Sequence, residues 1–233
     1  MDLDQLGPAE WEAVRLSLRV SLVATLVSLP LGVFVAYALA RWRFPGHALL
    51  NGLVHLPLVL PPVVTGYLLL VLLGRRGALG AWLEETFGLV IAFRWTGAAI
   101  AAGVMAFPLL VRAVRLAIEA VDPGLEDAAA TLGASRVRVF LTVTLPLIWP
   151  GLLAGAVLAF AKAMGEFGAT ITFVAAIPGE TLTIPSAIYT ALQVPGREDA
   201  VLALVGISIA VAMAAVLLSE ALARRAARRI AGT

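Results

Sequence analysis

The 233-residue sequence is 61% hydrophobic and only 14% charged, with a mean hydropathy of +0.97, against roughly 25% charge in an ordinary soluble domain. Its apolar runs are continuous and reach about 20 residues, enough to cross a hydrocarbon core about 30 Å thick, which indicates an all-α polytopic membrane protein rather than a β-barrel. There is no cysteine, so disulfides, thiolate metal sites, iron–sulfur clusters and a cysteine nucleophile are excluded. The net charge of +2 comes from arginines at span ends, a pattern that sets topology rather than one that binds nucleic acid.

The N-terminal stretch MDLDQLGPAEWEAVRLS is acidic and lacks the basic region of a cleaved signal peptide. The first span is therefore expected to act as its own insertion signal. One integral domain, 1–233, is expected, with spans over 14–40, 48–73, 96–118, 146–165 and 200–222. The first closes on ARWRFPGH, with a Pro45-Gly46 turn. The second contains HLPLVLPPVVTG, and Pro57, Pro61 and Pro62 with Gly66 predict a break near its middle. Backbone groups freed there could line a pathway; a packing kink is the alternative. A charged, glycine-rich link leads to the third span.

Residues 166–199 carry Pro178-Gly179-Glu180 and Pro185, and are expected to form a broken, partly re-entrant segment on the outer side. If 168–193 crossed instead, the chain would have six spans rather than five. With five spans and the N-terminus outside, the inside carries Arg41, Arg43, Arg112, Arg115, Arg136, Arg138, Arg224, Arg225, Arg228 and Arg229. The outside carries Arg15, Arg19, Arg75, Arg76, Arg94 and Arg197. That bias puts the C-terminus in the cytoplasm, with the four tail arginines anchored at the inner surface.

Between the third and fourth spans lies a polar stretch, 122–144. Asp122 followed by Pro123 is a favoured helix start. Leu125, Ala128, Ala129 and Leu132 then share one helical face. Gly133 suits a left-handed stop, Ser135 can cap a second short helix with an apolar face of Val137, Phe140 and Leu141, and Pro146 is expected to begin the next span. Neither short helix can span. Alanines let another surface approach closely, as a docking element requires, whereas a helix lying on the membrane would be rich in Lys and Arg with bulky apolar residues.

This stretch resembles the cytoplasmic loop of ABC importer permeases, E-A-A, three residues, G, nine residues, I-x-L-P. Here Asp127-Ala128-Ala129 is followed at those spacings by Gly133 and by Val143-Thr144-Leu145-Pro146, with Asp for Glu and Val for Ile. Glu126 supplies a second carboxylate. The segments RFPGHALLNGLVHLPLVLPPVVTGYLLL and GEFGATITFVAAIPGETLTIPSAIYTALQ are similar to the molybdate-type permeases, close to the sulfate-type, so the likeness covers nearly the whole chain. The resemblance implies an ABC importer permease fold in a bacterial or archaeal inner membrane. It also implies a homodimer, two ATP-hydrolysing subunits and an extracytoplasmic oxyanion-binding protein as partners, and no cofactor. The ATPase groove would take Glu126, Asp127, Ala128, Ala129, Leu132, Gly133, Ala134, Val137, Phe140, Leu145 and Pro146. The expected cargo is molybdate, with tungstate or sulfate as alternatives.

The single lysine, Lys162, is followed by Ala163, so no Walker A loop exists, and neither His47 nor His55 can open an H-E-x-x-H zinc site. No catalytic set is readable, so the chain is expected not to be an enzyme. Lys162 and Glu166 stand four apart at the end of the fourth span, either as a structural pair or as a gate. Pathway or gate residues are expected among Pro61, Pro62, Thr65, Gly66, Glu166, Phe167, Gly168, Thr170 and Thr172, although isolated threonines in spans often bond their own backbone. Gly151 and Gly155 form a close-packing G-x-x-x-G, within or between subunits. A gradient-driven secondary transporter would account for Lys162 and Glu166, but leaves the loop spacing without a purpose.

Overall fold

The computed structural model describes residues 7–231. The acidic residues 1–6, and the side chains of Arg225, Arg228 and Arg229 expected to anchor the tail, lie outside the described residues. α1 (Pro8–Arg41) starts before the apolar run. Pro8 stands in its first turn, where the missing N–H has no helical partner to lose, and Glu10 in the same turn is buried against Arg197 in an ion pair.

α2 (His47–Val59) and α3 (Pro62–Leu73) meet at 115°. Two consecutive prolines cause the break: neither can donate an N–H, and each forces the residue before it out of the helical region. Leu60 (ψ 144°) and Pro61 (ψ 135°) are accordingly extended. Gly66, expected at the break, lies inside α3. The link that follows is not plain loop but holds α4 (Ala78–Phe87), ended by Gly88 at φ 64°. α5 (Trp95–Glu119) leads to α6 (Pro123–Thr131) and α7 (Arg136–Val139).

The next element corrects an expectation. α7 is not a separate short helix, and Pro146 does not begin the fourth span. α7 runs through a π-helical turn, Phe140–Thr144, into α8 (Leu145–Met164), giving one 29-residue helix. Proline cannot donate to the carbonyl four residues back and crowds it. The chain widens by one residue just before Pro146, with the Leu145 N–H reaching Phe140 O, so the helix continues instead of stopping. α9 (Gly168–Val174), α10 (Ile184–Ala191) and α11 (Glu198–Ala231) complete the chain.

Among the described residues, α1, α5, the α7–α8 run and α11 are long and apolar enough to cross a membrane, or five spans if the bent α2–α3 pair is one. α9 and α10, of seven and eight residues, are each too short to cross and form the broken segment expected over 166–199. α5 is the central helix: Ala98, Ala101, Ala102, Leu110, Val111, Val114 and Ile118 are fully buried. Its small residues allow close approach. A Cβ on Gly151 of α8 would lie 2.4 Å from Ala117 Cβ, and one on Gly155 3.1 Å from Ala113 Cβ. The G-x-x-x-G pair therefore packs within the chain.

Contacts far apart in sequence define two ends. At one, the start of α1 is stapled to the 166–199 segment by Ile184 N–H donating to Ser17 Oγ (2.7 Å) and by the Glu10–Arg197 pair. At the other, the end of α1 meets the turn after α5 and the 122–144 hairpin.

Candidate functional site

The hairpin is built by its own sequence. Asp122 caps α6 by accepting from Gly124 N–H at 2.8 Å, and Pro123 follows it. Gly133 (φ 83°) ends the helix, with Gly133 N–H on Ala130 O and Ala134 N–H on Ala129 O, the paired bonds of a Schellman stop. Ser135 Oγ accepts from Arg138 N–H at 3.4 Å. No residue of α6 is buried. Leu125, Ala128 and Leu132 are exposed, Leu132 at 89%, and Val137 at 68% continues the apolar surface across the turn. Ala129, Ala134 and Leu145 are half-buried and Pro146 is exposed. The sequence thus folds a capped tip and leaves its apolar side chains uncovered.

Two expected docking residues face inward instead. Glu126 lies against the end of α1, with Oε2 3.0 Å from Arg41 Nε, while its Oε1 accepts from the buried Thr144 hydroxyl at 2.6 Å. The Phe140 ring meets Tyr37 edge-on at 5.3 Å. Asp127 is exposed and has no partner among the described residues. Arg41, Tyr37 and Thr144 were not legible as site residues, because their roles exist only once α1, α6 and the π-turn meet.

At the other group of candidates, the fold joins two distant segments. α3 crosses α9 through glycines: a Cβ on Gly66 would lie 2.5 Å from Ala169 O and 2.9 Å from Thr172 Cβ, and one on Gly168 2.7 Å from Pro62 Cβ. Pro62, Gly66, Gly168 and Thr172 are thus brought together, with Pro61 exposed at the bend. Glu166 is 3% exposed and stands at the break after α8. One carboxylate oxygen accepts from Ala169 N–H at 3.0 Å, and the other pairs with Lys162 Nζ at 2.5 Å. The carboxylate therefore satisfies a freed amide and a cation at once. Phe167 stacks tilted on Tyr189, 5.1 Å between centroids.

Two of the three threonines are spent on backbone: Thr170 Oγ1 donates to Phe167 O and Thr172 Oγ1 to Gly168 O, both at 2.8 Å. Thr65 is buried, and its hydroxyl has no partner among the described residues. A cavity of about 640 Å³ between α1, α2 and α5, lined by residues such as Val27, Leu31, Leu53 and Phe107, offers an anion little beyond the Ser28 and Thr96 hydroxyls.

Residues 28–230 match the family of binding-protein-dependent transport system inner membrane components. The chain is 62% identical over 219 residues to the molybdenum transport system permease protein ModB of Escherichia coli (strain K12), covering 94% of this chain and 96% of that protein. It is 53% identical over 221 residues to ModB of Haemophilus influenzae, covering 95% and 96%. The fold superposes with a TM-score of 0.76 on a bacterial ABC transporter involved in import of the acidic polysaccharide alginate, at 18% identity, covering 97% of this chain and 84% of that one.

Proposed function

The chain belongs to the family of binding-protein-dependent transport system inner membrane components, and from that premise we propose that it is the permease of an ATP-driven molybdate importer, coupled to its ATPase through residues 122–144. The observation that carries the coupling is the uncovered hairpin. A capped tip exposing Leu125, Ala128, Leu132 and Val137 stands beside the inner ends of α1 and α5, and a partner surface would bury it. The permease itself is not catalytic; the energy comes from the partner that hydrolyses ATP.

The working unit is a homodimer of this chain with two ATPase subunits, fed by an extracytoplasmic binding protein. The hairpin faces the cytoplasm together with the C-terminus, and the Glu10–Arg197 end faces outward, in keeping with the arginine bias. ATP-driven approach of the two ATPase subunits would move the hairpins, and the spans would exchange outward for inward access as packed bodies. The α3–α9 crossing and the Glu166 break form the outer gate. Similarity to molybdenum permeases over nearly the whole chain supports molybdate over sulfate.

The test is co-purification with the ATPase subunit, followed by uptake of molybdate, tungstate and sulfate into vesicles supplied with the binding protein. Stoichiometric association and ATP-dependent molybdate uptake are expected. A chain that never binds an ATPase, or uptake that follows an ion gradient without ATP, would overturn the reading.

A further inference from the structure

We infer that Glu126 is a positioning residue which locks the coupling hairpin onto the first span, and that the span moves with the hairpin as one body. The inference rests on the coupling role proposed above, and goes further by naming which span takes up the motion and through which atoms.

Arg41, the last residue of α1, makes two contacts at once. Its Nη2 donates to Val121 O at 2.9 Å, in the turn after α5, and its Nε lies 3.0 Å from Glu126 Oε2. Glu126 Oε1 takes the Thr144 hydroxyl at 2.6 Å, and Thr144, the last residue of the π-turn, is fully buried. The Arg41 and Glu126 side chains are only 17% and 14% exposed. One carboxylate oxygen therefore accepts a hydrogen bond inside the chain, and the other lies in an ion pair with Arg41, whose Nε is close but not aligned for a hydrogen bond. One turn earlier on α1, on the same face, Tyr37 holds Phe140 of the second hairpin limb. α1 thus grips both limbs, one through charge and one through an aromatic contact. A carboxylate pointing outward is available next door at Asp127, which is exposed.

A partly buried carboxylate with two partners is held in one geometry, because breaking either contact strands a charge or a hydroxyl away from water. A push on α6 then reaches α1 through Arg41 and the π-turn between α7 and α8 through Thr144.

The experiment uses the assembled transporter in lipid vesicles with its binding protein. It reads ATPase co-purification, and molybdate imported per ATP hydrolysed, for Glu126→Gln, Thr144→Val and Asp127→Asn. Glu126→Gln and Thr144→Val are expected to keep full ATPase association while the import-to-hydrolysis ratio falls about fivefold or more, the lower end of an ordinary coupling energy. Asp127→Asn should weaken association instead. Loss of association in Glu126→Gln, or an unchanged ratio in Thr144→Val, would overturn the inference. Failure of the unaltered chain to bind an ATPase would instead overturn the function proposed above.

Discussion

The crossing of α3 and α9 can be tested by adding one methyl group. In Gly66→Ala the new Cβ would lie 2.5 Å from Ala169 O, 2.9 Å from Ala169 Cα and 2.9 Å from Thr172 Cβ. An ordinary carbon–oxygen approach is about 3.3 Å or more, so the overlap with Ala169 O is about 0.8 Å. Two of the three obstacles are backbone atoms, which cannot swing aside as a side-chain end can. Alanine gains about 1 kcal/mol of helix propensity over glycine, and overpacking costs about 1–3 kcal/mol, leaving a net loss of up to about 2 kcal/mol. Gly52→Ala is the matched control: it sits within α2 with nothing inside 4 Å of its Cβ position, and should keep the propensity gain. The gap between the two variants is then up to about 3 kcal/mol, or roughly 6–12 °C for a chain of this size. The assay is the midpoint of thermal unfolding in detergent, with molybdate uptake measured in parallel. If Gly66→Ala melts with Gly52→Ala and transports normally, α3 does not cross α9 at this residue.

Gly133 holds φ 83° with open space around it. Gly133→Val should therefore lose ATPase association through backbone strain, of about 1–2 kcal/mol, while Gly133→Asn, which tolerates that region, should keep most of it in the same pull-down. Gly151→Ala, whose Cβ would meet Ala117 Cβ at 2.4 Å, should lower the unfolding midpoint more than Gly155→Ala, which meets Ala113 Cβ at 3.1 Å; the reverse order would contradict the α5–α8 packing. Lys162→Met leaves the buried Glu166 carboxylate with Ala169 N–H alone and is expected to destabilise by about 1–3 kcal/mol. Adding Glu166→Gln should return much of that loss, and a double-mutant cycle on the midpoints reads the difference.

Much of the hairpin was legible because its signals are local. Asp122, Gly133 and Ser135 each act within three or four residues of themselves, and each does in the fold what its position suggests. The Pro61-Pro62 break was legible for the same reason, since consecutive prolines end a helix whatever surrounds them. What failed to show was whatever depended on a distant partner. Glu126 looked like a free acid until Arg41 was placed beside it, and Gly66 looked like a hinge rather than a seat for Ala169. Pro146 read as a helix start because proline favours the first turn of a helix, and the π-turn just before it carries the helix past it instead. α4 was hidden by its neighbours: ten residues between glycines and charges read as link.

The continuity of α7, the π-turn and α8 bears on how far a displacement travels. At about 1.5 Å per residue, this 29-residue run from Arg136 to Met164 is a rod about 43 Å long. Its tightest rests on α5 are Gly151 and Gly155, about 22 Å from the Arg136 end and about 14 Å from the Met164 end. Pro150 and the π-turn, the two places where such a helix bends, both lie on the Arg136 side of that seat, so a swing imposed at the hairpin would be partly absorbed there before it reached Met164.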